Sequence, residues 1–244
     1  MKRKIVLLFI LVLLFSGCSK GKSETKAKPL SNEDISLITS VKQKGALSQM
    51  NLPNLTEEEA KNTLEDKYSL EMNAFLTKAM TSVDDLVKAE KIQDKDRNYT
   101  ILAEENKLTI YAAQYYDLKG NGQILLGQAE ATYKYDKLSQ KIHSLKQSIL
   151  INCTSFESNE GKRLEVLVKN LAEAMVLTES DQVMKQFSVE IKKSADELSK
   201  KVISIYDDSK EAEKKAGIGR LINLSFDREG RLEEVYAQVM DYSD

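Results

Sequence analysis

The residue types that could carry chemistry are few in this chain, and each falls in a pattern that can be tested against a known requirement. Asp94, Asp96, Asn98, Thr100 and Glu105 space their oxygens as a calcium loop does, and Ile101 adds the apolar residue that such loops carry. A calcium loop also needs glycine at its sixth position for the sharp turn, and Tyr99 stands there. The residues that follow favour a strand, whose extension would carry Glu105 away from Asp94, so these five are expected to hold no metal. His143 is the single histidine, flanked by Ile142, Ser144 and Leu145. No nucleophile is recognisable near it, and a strand-surface position without a general acid or base role is expected. Cys153 has no histidine partner in view and reads as an inert, buried thiol. Gly217-Ile218-Gly219 lacks the further glycines and the strand-turn-helix setting of a nucleotide loop, and reads as a hinge into a strand. No catalytic residue and no cofactor follow from any of these. What remains is a run of tyrosines. Tyr111, Tyr115, Tyr133 and Tyr135 fall in one stretch and are the candidates for lining a ligand groove, because tyrosine joins a rigid apolar body to a hydroxyl. The competing reading is ordinary strand composition, in which aromatics are enriched.

The elements that must position these residues alternate between helix and strand. Thr56 followed by Glu57, Glu58 and Glu59 reads as an N-cap with a capping box and an acidic first turn. Leu64, Tyr68, Met72, Phe75, Leu76, Ala79 and Met80 then recur at helical spacing, and a second short helix is expected over about 82 to 92. From Tyr99 the pattern becomes two-fold. Strands are expected at Tyr99 to Ala103, Leu108 to Asp117, Leu125 to Tyr135 and Ile142 to Ile151, with turns at Gly120-Asn121-Gly122 and at Asp136 to Gln140. In the third strand Leu125, Gly127, Ala129, Ala131, Tyr133 and Tyr135 share one face, opposite Gln128, Glu130, Thr132 and Lys134.

The second half repeats that order. Leu164, Leu167, Val168, Leu171, Ala172, Met175 and Val176 form an amphipathic helical stripe. Lys78-Ala79-Met80 can be laid over Glu173-Ala174-Met175, and Tyr135-Asp136 over Phe226-Asp227. Phe187 to Ile191 alternates like a strand, and Val202, Ile203 and Ile205 match Leu108 and Ile110. Arg228-Glu229-Gly230 reads as a turn before a last strand, Leu232 to Val239. The expectation is an α+β protein of two degenerate units, 32–155 and 156–244, each a helix followed by a four-stranded antiparallel meander. A rival assignment makes 180 to 206 one long helix, since Val183, Phe187, Ile191 and Leu198 also fit helical spacing. Helix followed by meander resembles the cystatin architecture, in which a helix covers one face of a sheet; that likeness implies a fold and no activity.

The strongest motif lies at the N-terminus. Lys2, Arg3 and Lys4 precede an apolar run from Ile5 to Phe15, then Ser16, Gly17 and Cys18. As a helix the run would rise about 16 Å, roughly half the hydrocarbon core, which suits a cleaved signal better than a permanent span. Leu14-Phe15-Ser16-Gly17-Cys18 resembles the lipobox of bacterial lipoproteins. That resemblance implies that 1–17 is a signal peptide, that Cys18 receives a diacylglyceryl group and acyl chains such as palmitate, and that the mature chain starts there. More than one acyl chain would anchor it stably. Residues 18–31 then form a tether, in which Lys20, Lys22, Lys26 and Lys28 outnumber Glu24. Its charge reads either as attraction to anionic headgroups or as a soluble spacer.

Composition narrows the function classes. The chain has 244 residues, 41% hydrophobic and 30% charged, with two cysteines and a formal charge of -2 that falls further once Lys2, Arg3 and Lys4 are removed. A mildly acidic body disfavours nucleic acid as a partner. The expected protein is a lipid-anchored lipoprotein on the extracytoplasmic face of the cell membrane, part of the cell envelope at the bacterial surface. It is expected to work as a non-enzymatic binding or accessory module. Its expected partners are membrane lipid, through acylated Cys18, and an envelope protein. Two alternatives stay open, a solute-binding lipoprotein of a transporter and an envelope enzyme.

Overall fold

The computed structural model describes residues 33, 54–89, 95–104, 106–117, 123–153 and 161–243. The signal segment, Cys18, the tether, Asp94, Glu105 and the Gly120-Asn121-Gly122 turn lie outside the described residues.

The first helix, α1 (Glu57–Tyr68), starts with the capping box that its sequence spells. Thr56 Oγ1 accepts the Glu59 N–H at 3.2 Å, and Glu59 Oε2 accepts the Thr56 N–H at 2.8 Å. A cap of this kind contributes about 1 kcal/mol. The helix stops before Met72. Ser69 takes a left-handed conformation with φ 51°, its N–H donates to Glu65 O, and the Leu70 N–H donates to Leu64 O. Asn73 then opens α2 (Ala74–Ala89), its side-chain oxygen accepting the N–H of Phe75 at 2.8 Å and of Leu76 at 3.2 Å. The expected boundary near residue 81 therefore moves to 69–73. The apolar spacing runs through that break, and only the cap chemistry of Asn73 reveals it.

Four strands follow: β1 (Lys95–Glu104), β2 (Lys107–Asp117), β3 (Gln123–Asp136) and β4 (Lys141–Asn152). Each pairs antiparallel with the next. In β3 the pairing with β2 skips Leu126, and this bulge buries Leu126 to 1% exposure where strict alternation had assigned Leu125 to the inner face.

The remainder of the described chain runs α3 (Gly161–Ala174), α4 (Ser180–Glu190), α5 (Ala195–Leu198), β5 (Val202–Asp207), α6 (Ser209–Lys214), β6 (Ile218–Phe226) and β7 (Leu232–Asp241). Two expectations are corrected here. Phe187 closes α4 rather than opening a strand, with Val183 and Phe187 one turn apart and both fully buried. Five residues of alternation cannot outweigh a longer helical stripe. Nor is 180 to 206 one helix. Ile191 caps α4, a second capping box at Ser194 and Glu197 starts α5, and β5 follows a left-handed Lys200. The second stretch thus supplies three strands among the described residues.

All seven strands form one antiparallel sheet in the order β1-β2-β3-β4-β7-β6-β5. The join is the β4–β7 pair, with Leu150 opposite Tyr236 and Ile149 opposite Ala237. Mixed α+β architecture follows directly. One core serves both stretches. Leu64, Met80 and Val83 from the early helices, and Leu171, Val183 and Phe187 from the later ones, meet Ile110, Ala129, Ile149, Ile222, Leu224 and Val235 of the sheet. Each large apolar side chain buried there stabilises by about 1.5–3 kcal/mol. Among the described residues no helix is long and apolar enough to cross a membrane.

Candidate functional site

Period-two alternation sends every second side chain of this sheet away from the core, and the ladder registers show which of them meet. One row runs Thr100, Tyr111, Glu130, Ser148, Gln238 and Leu221 across β1, β2, β3, β4, β7 and β6. The adjacent row runs Asn98, Ala113, Gln128, Leu150, Tyr236 and Asn223. The helices that bury side chains in the core do so on the opposite face, so these rows form a broad second surface.

Its chemistry is hydroxyl, amide and aromatic. Thr132 Oγ1 donates to Glu130 Oε1 at 2.8 Å and lies 3.4 Å from Thr109 Oγ1, while Lys146 Nζ stands 3.7 Å from Glu130. Tyr236 donates its hydroxyl to Gln238 Oε1 at 2.6 Å. Thr109, Thr132 and Ser148 are buried beneath taller neighbours, whereas Tyr111, Leu150, Leu221, Tyr236 and Met240 are half-buried. Burial pushes the Tyr111 phenol upward, with Glu130 and Glu104 adding to the shift. Tyr111 therefore stays neutral, a donor and a stacking surface rather than a base. Nothing in these rows aligns a nucleophile with a base.

The tyrosine candidates divide between the two faces. Tyr133 and Tyr135 point into the core, each 5% exposed, while Tyr111 and Tyr115 lie on the outer face. The register pairs Tyr111 with Glu130 and Leu108 with Tyr133, so the four do not line one groove. Burial pushes the Tyr133 hydroxyl up to about 12, slightly opposed by Asn73, although no partner stands within ordinary hydrogen-bond geometry.

The candidate metal ligands Asp96, Asn98 and Thr100 lie on extended β1, with Asn98 Nδ2 donating to Asp96 Oδ2 at 3.2 Å. Among the described residues no group of three or more His, Cys, Asp or Glu side chains gathers as a metal site would. His143 is exposed and stands 3.9 Å from Asp136. Cys153 is 2% exposed, and burial pushes its thiol up to about 12, which keeps it protonated and unreactive. Gly217-Ile218-Gly219 leads into β6, where Gly219 lets the α6 backbone approach: a Cβ there would meet Ser209 Cα at 3.0 Å.

A second polar cluster, not anticipated from the sequence, joins α1, α2 and β1. Arg97 donates from Nε to Gln114 Oε1 at 2.7 Å and from Nη2 to Met80 O at 3.0 Å, and pairs with Asp84 at 2.9 Å. Tyr99 donates its hydroxyl to Glu57 Oε2 at 3.2 Å. A 270 Å³ cavity lies among these groups. The guanidinium is already answered by Glu57 and Asp84, so the cluster reads as a clamp between elements rather than an anion site. Only the residues of the clamp, and not their convergence, are visible in the sequence.

No family model matches the chain, and no curated protein or solved structure matches it at a significant level.

Proposed function

We propose that the protein is a lipoprotein held by acylated Cys18 at the extracytoplasmic face of the cell membrane, where it binds an envelope partner without catalysing a reaction. The observation that carries the binding reading is the outer sheet face, with Tyr111, Leu150 and Tyr236 set among Thr100, Gln128, Ser148, Gln238 and Asn223. Aromatic and amide side chains bind polar partners at modest conformational cost. The anchor reading rests on the basic, apolar and small-residue order that ends at Cys18.

We also read the sheet as two degenerate, cystatin-like copies that meet at β4 and β7. Two features support this: β2-β3-β4 and β5-β6-β7 are both meanders, and the strands that precede β4 and β7 end alike. Asp136 accepts the Leu138 N–H at 2.8 Å, and Asp227 accepts the Glu229 N–H at 2.9 Å.

The test is crosslinking and co-purification from membranes that carry the full chain or its Tyr111→Ala/Tyr236→Ala form. A partner captured by the former and lost in the latter, with the fold retained by circular dichroism, is the expected result. Undiminished capture would remove the outer face from the reading. Cys18→Ala should independently abolish fatty-acid labelling, and equal labelling of both chains would remove the anchor.

A further inference from the structure

The turn between β3 and β4 presents Leu138 at 97% exposure, more than any other large apolar side chain among the described residues; Val176 follows at 71%. A lone exposed leucine is ordinary on a protein surface. This one differs because its backbone is held. Asp136 Oδ1 accepts the Leu138 N–H at 2.8 Å, Asp136 Oδ2 accepts the Ser139 hydroxyl at 2.7 Å, and Gln140 closes the turn with φ 56°. The leucine is displayed at a hairpin tip by a preorganised turn, and little further order must be imposed for it to bind.

Two lysines flank the leucine at the tip. Lys137 lies in the turn, Lys141 opposes Asp136 across the hairpin, and Lys134 of β3 opposes Lys107 of β2. The nearby carboxylates in the same ladders are Asp136, which is engaged by the turn, and Glu104, which opposes Lys107. The chain as a whole carries -2, so the two lysines beside the leucine stand out against an acidic background. An apolar tip set between Lys137 and Lys141 matches the layering of an anionic bilayer surface, where phosphates lie above the acyl boundary.

We propose that the β3–β4 hairpin tip touches an anionic lipid surface, with Leu138 entering the headgroup layer and Lys137 and Lys141 meeting lipid phosphates. The contact rests on the reading that Cys18 holds the chain at a membrane, and it would give a tethered body a fixed orientation rather than a free one.

The chain contains no tryptophan, so Leu138→Trp installs a single emitter at the tip. Full-length Leu138→Trp protein is reconstituted on phosphatidylglycerol vesicles and on phosphatidylcholine vesicles. Flotation reports anchoring, and emission of the installed indole, with its quenching by brominated acyl chains, reports tip contact. The expected result is flotation on both, with a blue shift and quenching on phosphatidylglycerol only. Adding Lys137→Gln and Lys141→Gln should lower the contact equilibrium roughly twenty-five-fold, at about fivefold per lysine. Raising salt from about 0.1 M to about 1 M, which shortens the Debye length to about 3 Å, should weaken it as well. Flotation with solvent-like indole emission on both lipids would overturn the hairpin contact and leave the anchor standing. Failure to float would overturn the anchor, and the same emission would still decide the hairpin: a shift on phosphatidylglycerol supports it and no shift sinks it. The fold of the variant is checked by circular dichroism, which a substitution at so exposed a site should leave unchanged.

Discussion

Gly127 on β3 and Val83 on α2 approach so closely that a Cβ at position 127 would stand 2.9 Å from Val83 Cγ2. Val83 is fully buried and β-branched, so it has little freedom to retreat from its helical rotamer. The helix reaches the sheet here because one residue has no side chain. Gly127→Ala should destabilise by about 1–3 kcal/mol in urea unfolding. The double variant Gly127→Ala/Val83→Ala should then be more stable than the sum of its singles predicts, by about 1 kcal/mol. Strict additivity would show that the close approach is not what limits packing at this point.

Arg97 should behave as a structural clamp. Its fork reaches Gln114, the Met80 carbonyl and Asp84 at 2.7 to 3.0 Å, and its side chain is 18% exposed. Arg97→Met leaves Asp84 without this cation, and a loss of about 2–4 kcal/mol is expected. Arg97→Lys should restore little of it, because an ammonium cannot span the three acceptors. Recovery of wild-type stability by lysine would mean that charge alone, and not the fork, holds these elements.

Alkaline pH should destabilise the protein through buried groups, Cys153 and Tyr133 among them. In the unfolded chain the Cys153 thiol ionises near 8.5 and the Tyr133 phenol near 10. In the fold both are pushed up to about 12 by burial. Between these limits the unfolded state releases protons that the native state keeps. Stability therefore falls as pH rises, by up to about 1.4 kcal/mol per pH unit for each group. Cys153→Ala should flatten the stability curve between about pH 9 and 12, and Tyr133→Phe between about pH 10 and 12. An unchanged slope in both would place the alkaline sensitivity elsewhere.

Tyr133→Phe makes a further prediction at neutral pH. The buried hydroxyl has Asn73 nearby but no partner in ordinary hydrogen-bond geometry, so its removal saves a desolvation cost and leaves the ring in the core. Thermal unfolding should show a change between none and about 1 kcal/mol of stabilisation. A loss above about 1 kcal/mol would show that Asn73 holds this hydroxyl in a hydrogen bond.

The parts of this fold that were legible are those written in local chemistry. Thr56 and Glu59 announce a capping box, Gly230 sits at the expected left-handed turn position with φ 73°, and β2, β3, β4 and β7 read from alternation. The break at Ser69 was hidden because serine has no strong preference for a left-handed cap, while the apolar spacing on either side stays in phase. The split of the tyrosines has a different cause. Which face Tyr111 shares with Tyr133 depends on the β2–β3 register, and a slip of one residue would reverse the answer. The outer face was illegible for the same reason. Leu150 and Tyr236 are neighbours only because β4 and β7 pair through backbone groups that are the same in every sequence.

The β4–β7 pair also sets an order of events in time. β7 is the last strand among the described residues, yet it lies inside the sheet, between β4 and β6. While it is missing, those two strands each present an unpaired edge, the kind of template on which chains stick to one another. A nascent chain therefore remains vulnerable to aggregation until β7 arrives, and closing the long loop between β4 and β7 is expected to be the slow step of folding. A stop codon that removes only Leu232 onward would open the middle of the sheet, although it deletes about a twentieth of the protein.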